Sequence, residues 1–331
     1  MHAGDLLDAS FLLQLFEANR GRLNLPDHQV SACQVVPLKV SKTGGKSVVE
    51  CRLLLEPTTG GEAAPRSLVA IWRPDGENAA TFDLMQRLWR WGFDGSGPDA
   101  VCEPVAYLDD CNLMVITKVE GRELEQVLAV DPRAAEASIE GAARWLARLH
   151  ATPVRSGRTH TYVKERELLD RWIHDLDQVY PSFGPRLYPL GSALLDAERL
   201  VKRSRFRLIH GDFHPENIFV SEERVTVTDF ERSCLFDPAQ DLGFFLAQLA
   251  AKVKMGRYKV AAADLPDLRQ RFLEAYQGET KAPVGPRVGL YEARSYLEVA
   301  HYIYCGLSVP PDPATFEFYL SSAEGCAREV A

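Results

Sequence analysis

LIHGDFHPENIFV, residues 208–220, and VTVTDFE, residues 225–231, are two apolar stretches that carry acidic side chains. Asp212 and Asn217 lie in a loop that apolar residues bound on both sides. In the second stretch, the run of valine and threonine predicts a strand with Asp229 at its end. The pattern therefore predicts a carboxylate, an amide and a second carboxylate within one short β-rich island.

These three oxygen-bearing side chains suit the chemistry of phosphoryl transfer. The transferred group is already activated, so the protein has to orient a hydroxyl, accept its proton and hold magnesium across the phosphates. Magnesium prefers oxygen ligands, usually one or two carboxylates together with phosphate oxygens and water. Asp212 would then supply the base, and Asn217 and Asp229 would supply two ligands.

The chain before residue 120 has the alternation of an antiparallel sheet with helices added to it. The sequence predicts strands at 31–40, 48–55, 67–73, 101–108 and 113–119, and helices at 5–19 and 78–91. The segment SKTGGKS, residues 41–47, predicts a hairpin turn rather than a phosphate-binding loop, because a strand and not a helix follows it.

Beyond residue 120 the pattern becomes mostly helical, and the β-rich island interrupts it. Predicted helices cover 133–150, 165–180, 191–202, 237–253 and 287–307. We therefore expect an α+β fold of two lobes, with a small antiparallel sheet in residues 1–118 and a larger helical lobe in residues 119–331. A ligand-binding cleft is expected at the joint between such lobes.

The composition narrows the class of partner. The formal net charge is -8, which disfavours binding to a nucleic-acid backbone. No stretch is long and apolar enough to span a bilayer, and the first twenty residues lack the pattern of a signal peptide. Seven scattered cysteines, never spaced C-x-x-C, predict reduced thiols and a cytoplasmic protein.

The motifs of the island resemble those of the aminoglycoside phosphotransferase family, which is related to choline kinases and more distantly to protein kinases. The resemblance rests on HGD with Asn217, on DFE at 229–231, and on DPAQDL at 237–242. LARLH at 146–150 resembles the helix that precedes the catalytic loop, and LMVITKVEG at 113–121 resembles the hinge strand. Several motifs in the right order are more specific than any one alone.

The resemblance implies a protein-kinase-like fold and a kinase for small molecules that uses Mg²⁺ and ATP, with GTP left open. It implies that Asp212 is the catalytic base and that Asn217 and Asp229 bind magnesium. It further implies that Asp241 and His210 support the catalytic loop, and that the main chain of Thr117, Lys118 and Val119 meets the adenine.

The third strand departs from the family pattern. Family members place a phosphate-holding lysine there, whereas residues 69–73 read VAIWR. Because side chains alternate between faces, the set that faces the cleft is either Ala70 with Trp72, or Val69 and Ile71 with Arg73. Arg73 is the candidate replacement for the lysine in nucleotide binding; Lys39 and Lys46 are alternatives.

The departure leaves a second function open, a non-catalytic nucleotide-binding module resembling a pseudokinase. A protein-directed kinase is a weaker third reading, because DP at 237–238 follows Asp229 too closely to leave room for a peptide platform. The expected partner is a small hydroxyl-bearing acceptor, and aminoglycosides, choline, sugars and homoserine all stay compatible. The oligomeric state is open.

Overall fold

The computed structural model describes residues 2, 4–41, 45–200, 205–281, 285–307 and 309–330. The chain divides into two compact units. The first unit comprises Met1–Glu120 together with Thr226–Glu231, and the second comprises Gly121–Val225 together with Arg232–Ala331. The short segment Thr226–Glu231 therefore belongs to the first unit although second-unit segments flank it on both sides.

The first unit is built on a five-stranded antiparallel sheet, which confirms the predicted architecture. The spatial order of its strands is β1-β2-β3-β6-β5. The elements are α1 (Ala9–Ala18), β1 (His28–Lys39), β2 (Ser47–Pro57), β3 (Ala64–Trp72), α2 (Asn78–Arg90), β4 (Asp99–Val101), β5 (Pro104–Leu108) and β6 (Leu113–Thr117).

One face of this sheet forms the apolar core of the first unit. Alternate residues of β2 are buried there, beginning with Val49 and Cys51, and they pack with Leu12 and Phe16 of α1. Ala70 and Trp72 of β3 belong to the same core. The strand register therefore places the other set of β3, Val69 and Ile71 with Arg73 after them, on the opposite face.

The single strand predicted at 101–108 is divided into β4 and β5, because Pro104 lacks an N–H group and stands where the second strand begins. The β1–β2 hairpin is present, with Pro37 opposite Val49 and Val35 opposite Cys51. Residues 42–44 of its predicted turn lie outside the described residues.

The second unit is mostly helical. Its helices are α3 (Leu124–Val130), α4 (Pro132–Ala151), α5 (Tyr162–Val179), α6 (Gly184–Leu200), α7 (Ala239–Lys254), α8 (Leu265–Thr280), α9 (Gly285–His301) and α10 (Pro313–Val330). Its short strands are β7 (Arg122–Glu123), β8 (Arg207–Ile209), β9 (Ile218–Val220) and β11 (Cys234–Phe236), and β10 (Val225–Val227) begins in this unit and continues into the first.

Most of the predicted helices are confirmed, with shifted ends. The helix predicted at 191–202 begins at Gly184 and is described as far as Leu200, and its last two predicted residues lie outside the described part. The helices α3, α8 and α10 were not predicted. Within the described ranges, no helix combines the length and the apolar character that crossing a membrane would require.

The core of the second unit brings α7 and α9 into close contact at Gly243. A Cβ atom at this position would lie 2.4 Å from the backbone nitrogen of Glu292 and 2.5 Å from the backbone carbon of Tyr291. Both neighbours are backbone atoms, so a side chain could not be accommodated by a change of rotamer. Glycine is therefore required for the spacing of these two helices.

We expect Gly243→Ala to lower the free energy of unfolding by about 1–3 kcal/mol, because the added methyl group overpacks the helix interface. The matched control is Gly278→Ala in α8, where a Cβ would meet nothing within 4 Å. That substitution should leave stability unchanged or raise it by up to about 1 kcal/mol through helix propensity. Urea unfolding followed by circular dichroism measures both, and equal effects would contradict the close packing.

Candidate active site

The loop that carries the HGD motif is held by one buried carboxylate. Asp241, in the first turn of α7, is fully buried and accepts the backbone N–H of His210 at 2.7 Å and that of Gly211 at 2.8 Å. Its Oδ2 also lies 3.1 Å from Nε2 of His150, whose Nδ1 is 2.8 Å from the hydroxyl of Tyr276. The carboxylate of Asp241 thus satisfies two backbone donors of the loop and fastens the loop to α7.

Gly211 allows the loop to make its turn. Its φ is +80°, which side chains rarely adopt, and a Cβ there would lie 2.5 Å from the carbonyl oxygen of Arg232. His210 is completely buried and its carbonyl accepts the hydroxyl of Ser233 at 3.1 Å. The loop therefore packs directly on the chain that follows the DFE motif.

Asp212 emerges from this loop beside an arginine and a histidine. Its Oδ1 accepts a hydrogen bond from Nη1 of Arg232 at 3.2 Å, and its Oδ2 is 3.8 Å from Nε2 of His214. Burial alone would raise the pKa of this carboxyl, but the interactions with His214 and Arg232 outweigh it and hold the pKa at about 2. Asp212 is therefore ionised throughout the neutral range.

Asn217 is fixed beside Asp212 by its own side chain. The short 3₁₀ turn Pro215–Asn217 brings it back, and its Nδ2 donates to the carbonyl of Asp212 at 2.9 Å and lies 3.1 Å from Nε2 of His214. With the nitrogen of the amide directed at the loop, the amide oxygen is the atom that can serve a cation. An amide oxygen next to a carboxylate matches the oxygen ligands that magnesium prefers.

A run of alternating charges leads from Asp212 into the helices of the second unit. Arg232 donates from Nη2 to Glu298 at 2.5 Å, and Glu298 also binds Arg294. Arg294 in turn binds Glu165, whose Oε2 lies 2.7 Å from Nε2 of His160. We call Asp212, Arg232, Glu298, Arg294, Glu165 and His160 the charge ladder.

The inner members of the charge ladder are buried. The side chain of Arg294 is 6% exposed and that of Glu165 is 7% exposed, and the Arg294 guanidinium lies 4.6 Å from the ring centroid of Trp172. Burial raises the pKa of Glu165, but the charges of Arg294 and His160 lower it to about 2. Each buried charge therefore depends on its neighbour for compensation.

We expect Glu165→Gln to lower the free energy of unfolding by roughly 3 kcal/mol, because it leaves the buried Arg294 undercompensated. The matched control is Glu136→Gln, whose carboxylate forms an exposed pair with Arg271 at 3.1 Å. An exposed pair should contribute less than about 1 kcal/mol. Urea titrations of both variants provide the comparison, and an equal loss in the two would rule out a stabilising role for the buried ladder.

The acid limb of stability gives an independent readout of Glu165. Its pKa is lower in the folded protein than the value of about 4.3 in the unfolded chain, so its ionisation stabilises the fold above that pH. This contribution decreases as the pH falls from about 4.3 towards 2. The stability difference between the wild type and Glu165→Gln should therefore shrink over that interval; a constant difference would be inconsistent with the lowered pKa.

In the first unit, Asp229 has a constrained backbone, and its side chain contacts a lysine. Its φ is +64°, in the left-handed region that few residues other than glycine adopt and that aspartate tolerates better than most. Nζ of Lys46 lies 3.2 Å from each of its carboxylate oxygens and 2.6 Å from Oε1 of Glu231. Burial lowers the pKa of Lys46, but both carboxylates raise it above its ordinary value overall.

Arg73 binds the other oxygen of the same glutamate. Its Nη1 donates to Oε2 of Glu231 at 2.6 Å, and the rest of its guanidinium is occupied by Asp75 at 2.6 Å and Glu77 at 3.3 Å. Arg73 lies on the face of the sheet opposite the apolar core, as one of the two predicted registers required. Its charge is directed to the DFE segment through Glu231.

The predicted hinge residues follow β6 in the first unit. The backbone N–H of Thr117 donates to the carbonyl of Glu103 at 3.0 Å, and that of Lys118 donates to Ser67 at 3.3 Å. The side chain of Lys118 binds the buried Glu50 at 2.9 Å. Recognition of a base by this main chain would therefore rest on its carbonyl groups and on Val119.

The predicted residues thus form two groups. In the second unit, Asp212 and Asn217 share a loop with His210, and Asp241 holds that loop. In the first unit, Asp229 lies with Lys46, and Arg73 reaches the neighbouring acid, whereas the hinge stretch makes its own contacts. Within the described residues, no three or more His, Cys, Asp or Glu side chains cluster as a metal site of their own.

Several residues of these networks escaped the sequence reasoning, among them Arg232, Glu165 and Arg294. Their partners lie far away along the chain: Arg294 and Glu165 are separated by 129 positions. One signal was present, because Arg294 and Glu298 stand four residues apart in α9, a spacing that places opposite charges next to each other on one face of a helix. The sequence offers Lys46 and Lys39 as alternatives to Arg73, and no local pattern distinguishes the three.

Comparison with known proteins assigns the sequence to a family. The family model described as "Phosphotransferase enzyme family" matches residues 61–288, more than half of the chain. No curated protein sequence matches the chain.

Solved structures are similar over most of their length. Choline kinase from Streptococcus pneumoniae is 14% identical with a TM-score of 0.58, covering 97% of this chain and 99% of its own. Macrolide 2'-phosphotransferase from Brachybacterium faecium is 17% identical with a TM-score of 0.57, covering 94% and 97%. Amicoumacin kinase in complex with AMP-PNP, Ca²⁺ and its ligand is 14% identical with a TM-score of 0.61, covering 89% and 88%. At these identities the likeness shows the protein-kinase-like fold.

Proposed function

Because the chain belongs to the phosphotransferase enzyme family, we propose that it transfers the γ-phosphoryl group of ATP to a hydroxyl of a small molecule, with Asp212 as the base. The observation that carries the proposal is the loop in which the side chain of Asn217 donates a hydrogen bond of 2.9 Å to the backbone carbonyl of Asp212. The family and the similar kinases support a phosphotransferase with a hydroxyl acceptor. The identity of the nucleotide and of the acceptor is proposed on chemical grounds.

Asp212 has the properties that the role requires. In the loose transition state of phosphoryl transfer, most of the catalysis comes from positioning and from stabilising charge. A carboxylate that stays ionised can accept the hydrogen bond of an incoming hydroxyl and take its proton as the bond to phosphorus forms. Arg232 holds one oxygen of Asp212, so the carboxylate keeps a defined orientation while it does so.

Asn217 and Asp229 are the proposed magnesium ligands. When bound, the metal would neutralise charge on the phosphate oxygens of the nucleotide. Both residues offer hard oxygen atoms, and the left-handed backbone at Asp229 is the kind of local strain that persists where function requires it. Asp241 and His210 keep the loop of Asn217 in place, and the carbonyls of residues 117–119 with Val119 are proposed to face the base of the nucleotide.

Asp212→Asn tests the assignment of the base. The substitution keeps the shape of the side chain and removes its charge, so turnover should fall by roughly 10²–10⁴-fold. Nucleotide consumption with magnesium, screened over hydroxyl-bearing metabolites and antibiotics, provides the assay. The control is Asp196→Asn, an exposed aspartate that binds Arg199 at 3.1 Å, and it should leave turnover unchanged.

The same assay separates the two functions that the sequence left open. Turnover that survives Asp212→Asn at the wild-type rate would remove Asp212 from the mechanism. Nucleotide binding with no turnover across the whole acceptor panel would instead favour the non-catalytic module. Neither result can come from misfolding of the variant: a variant with wild-type turnover is folded, and the second result is measured on the wild type.

A further inference from the structure

The strand that holds the phosphate-binding lysine in related kinases contains no lysine here. From Ala64 to Arg73 the third strand and the residue after it read APRSLVAIWR. Trp72 points into the apolar core, and Arg73 is the first cation beyond it. Arg66, the other cation of this stretch, lies at the opposite end of the strand, 4.0 Å from Glu103. The positive charge that phosphates need in this unit therefore comes from Arg73 or from another strand.

Lys46 occupies the matching place on the neighbouring strand. Ser47 of β2 is paired with Trp72 of β3, so Lys46, which precedes Ser47, and Arg73, which follows Trp72, lie at the same end of the two strands. The side chains of Lys46 and Arg73 are 18% and 19% exposed. The sheet thus presents two half-buried cations side by side.

The two cations differ in how they are held. The guanidinium of Arg73 forms ion pairs with three carboxylates, those of Glu231, Asp75 and Glu77. A guanidinium is suited to this because its planar N–H groups can bind several oxygens at once. Lys46 contacts Asp229 symmetrically, 3.2 Å from each oxygen, at the end of a flexible four-carbon chain. Moving Arg73 would break three ion pairs, whereas Lys46 can turn on its stem and keep its contact with Glu231.

We propose that Lys46 is the residue that holds the phosphates of the nucleotide, and that Arg73 is a positioning residue that acts through Glu231. The inference rests on the proposed function and specifies its nucleotide site. Without nucleotide, the ammonium group of Lys46 compensates the carboxylate of Asp229. With nucleotide, it exchanges that carboxylate for phosphate oxygens, while Glu231, anchored by Arg73, keeps it at the correct end of the sheet.

Binding of ATP and of adenosine, both measured by calorimetry in the presence of magnesium, tests the proposal. Lys46→Gln should weaken ATP binding roughly ten- to hundredfold, the value of a charge-assisted hydrogen bond, and should leave adenosine binding unchanged. The contrast identifies a contact to phosphate, because a merely structural role would weaken both ligands. Lys164→Gln, an exposed lysine of α5, is the matched control and should alter neither.

Arg73→Gln distinguishes the two cations. It should weaken ATP binding less than Lys46→Gln does. The double variant should bind ATP no more weakly than Lys46→Gln alone, because Arg73 acts through Lys46. A phosphate-specific loss in Arg73→Gln together with unchanged ATP binding in Lys46→Gln would overturn the proposal in favour of Arg73. Equal weakening of ATP and adenosine by Lys46→Gln would overturn it in favour of a structural lysine.

The wild-type protein separates this inference from the proposed function. If the wild type binds ATP but transfers no phosphoryl group, the proposed transfer reaction is wrong. The role of Lys46 is then still decided by comparing the binding of ATP with that of adenosine. If it binds neither ATP nor GTP, both proposals fall. The same measurements with GTP and guanosine show whether the protein prefers adenine or guanine nucleotides.

Discussion

The loop that carries the HGD motif depends on the buried carboxylate of Asp241. A charge removed from water is tolerated only when hydrogen bonds replace its hydration. Asp241 accepts hydrogen bonds from two consecutive loop amides, and its Oδ2 contacts Nε2 of His150. Because those amides are the ones that precede Asp212, their capture sets the direction in which Asp212 leaves the loop. Gly211 completes the constraint, since a side chain at that position would collide with the carbonyl of Arg232.

The charge ladder extends this constraint into the helices. Asp212 is not held by the loop alone, because Arg232 links one of its oxygens to Glu298 on α9, and Arg294 links that helix to Glu165 on α5. A buried network of this kind contributes little net stability compared with an apolar core of the same shape. It does make one arrangement of charges far better compensated than any other, and that arrangement orients the proposed base.

Local patterns were sufficient for much of the fold. Alternation in β2 and β3 and the HGD and DFE motifs are local features, so the sheet and the positions of Asp212 and Asn217 could be predicted. Even α8 carried a readable pattern, with Leu268, Phe272 and Tyr276 four residues apart. The long-range pairs could not be predicted in this way: Lys46 meets Asp229 across 183 positions, and no periodicity connects them.

On the proposed function, the charges around Asp229 would make the binding of nucleotide and the binding of metal in this unit depend on each other. The least exposed groups are two carboxylates, Asp229 and Glu231, and two cations, Lys46 and Arg73, and the more exposed Asp75 and Glu77 also pair with Arg73. A divalent ion alone would have to compete with Lys46 for Asp229, and phosphates alone would draw Lys46 away and leave Asp229 uncompensated. If the proposed metal and nucleotide both bind, Asp229 would exchange Lys46 for the ion and Lys46 would contact the phosphates, so that both side chains would keep a partner of opposite charge. An arginine in place of Lys46, held by several acids as Arg73 is, would be less able to make that exchange.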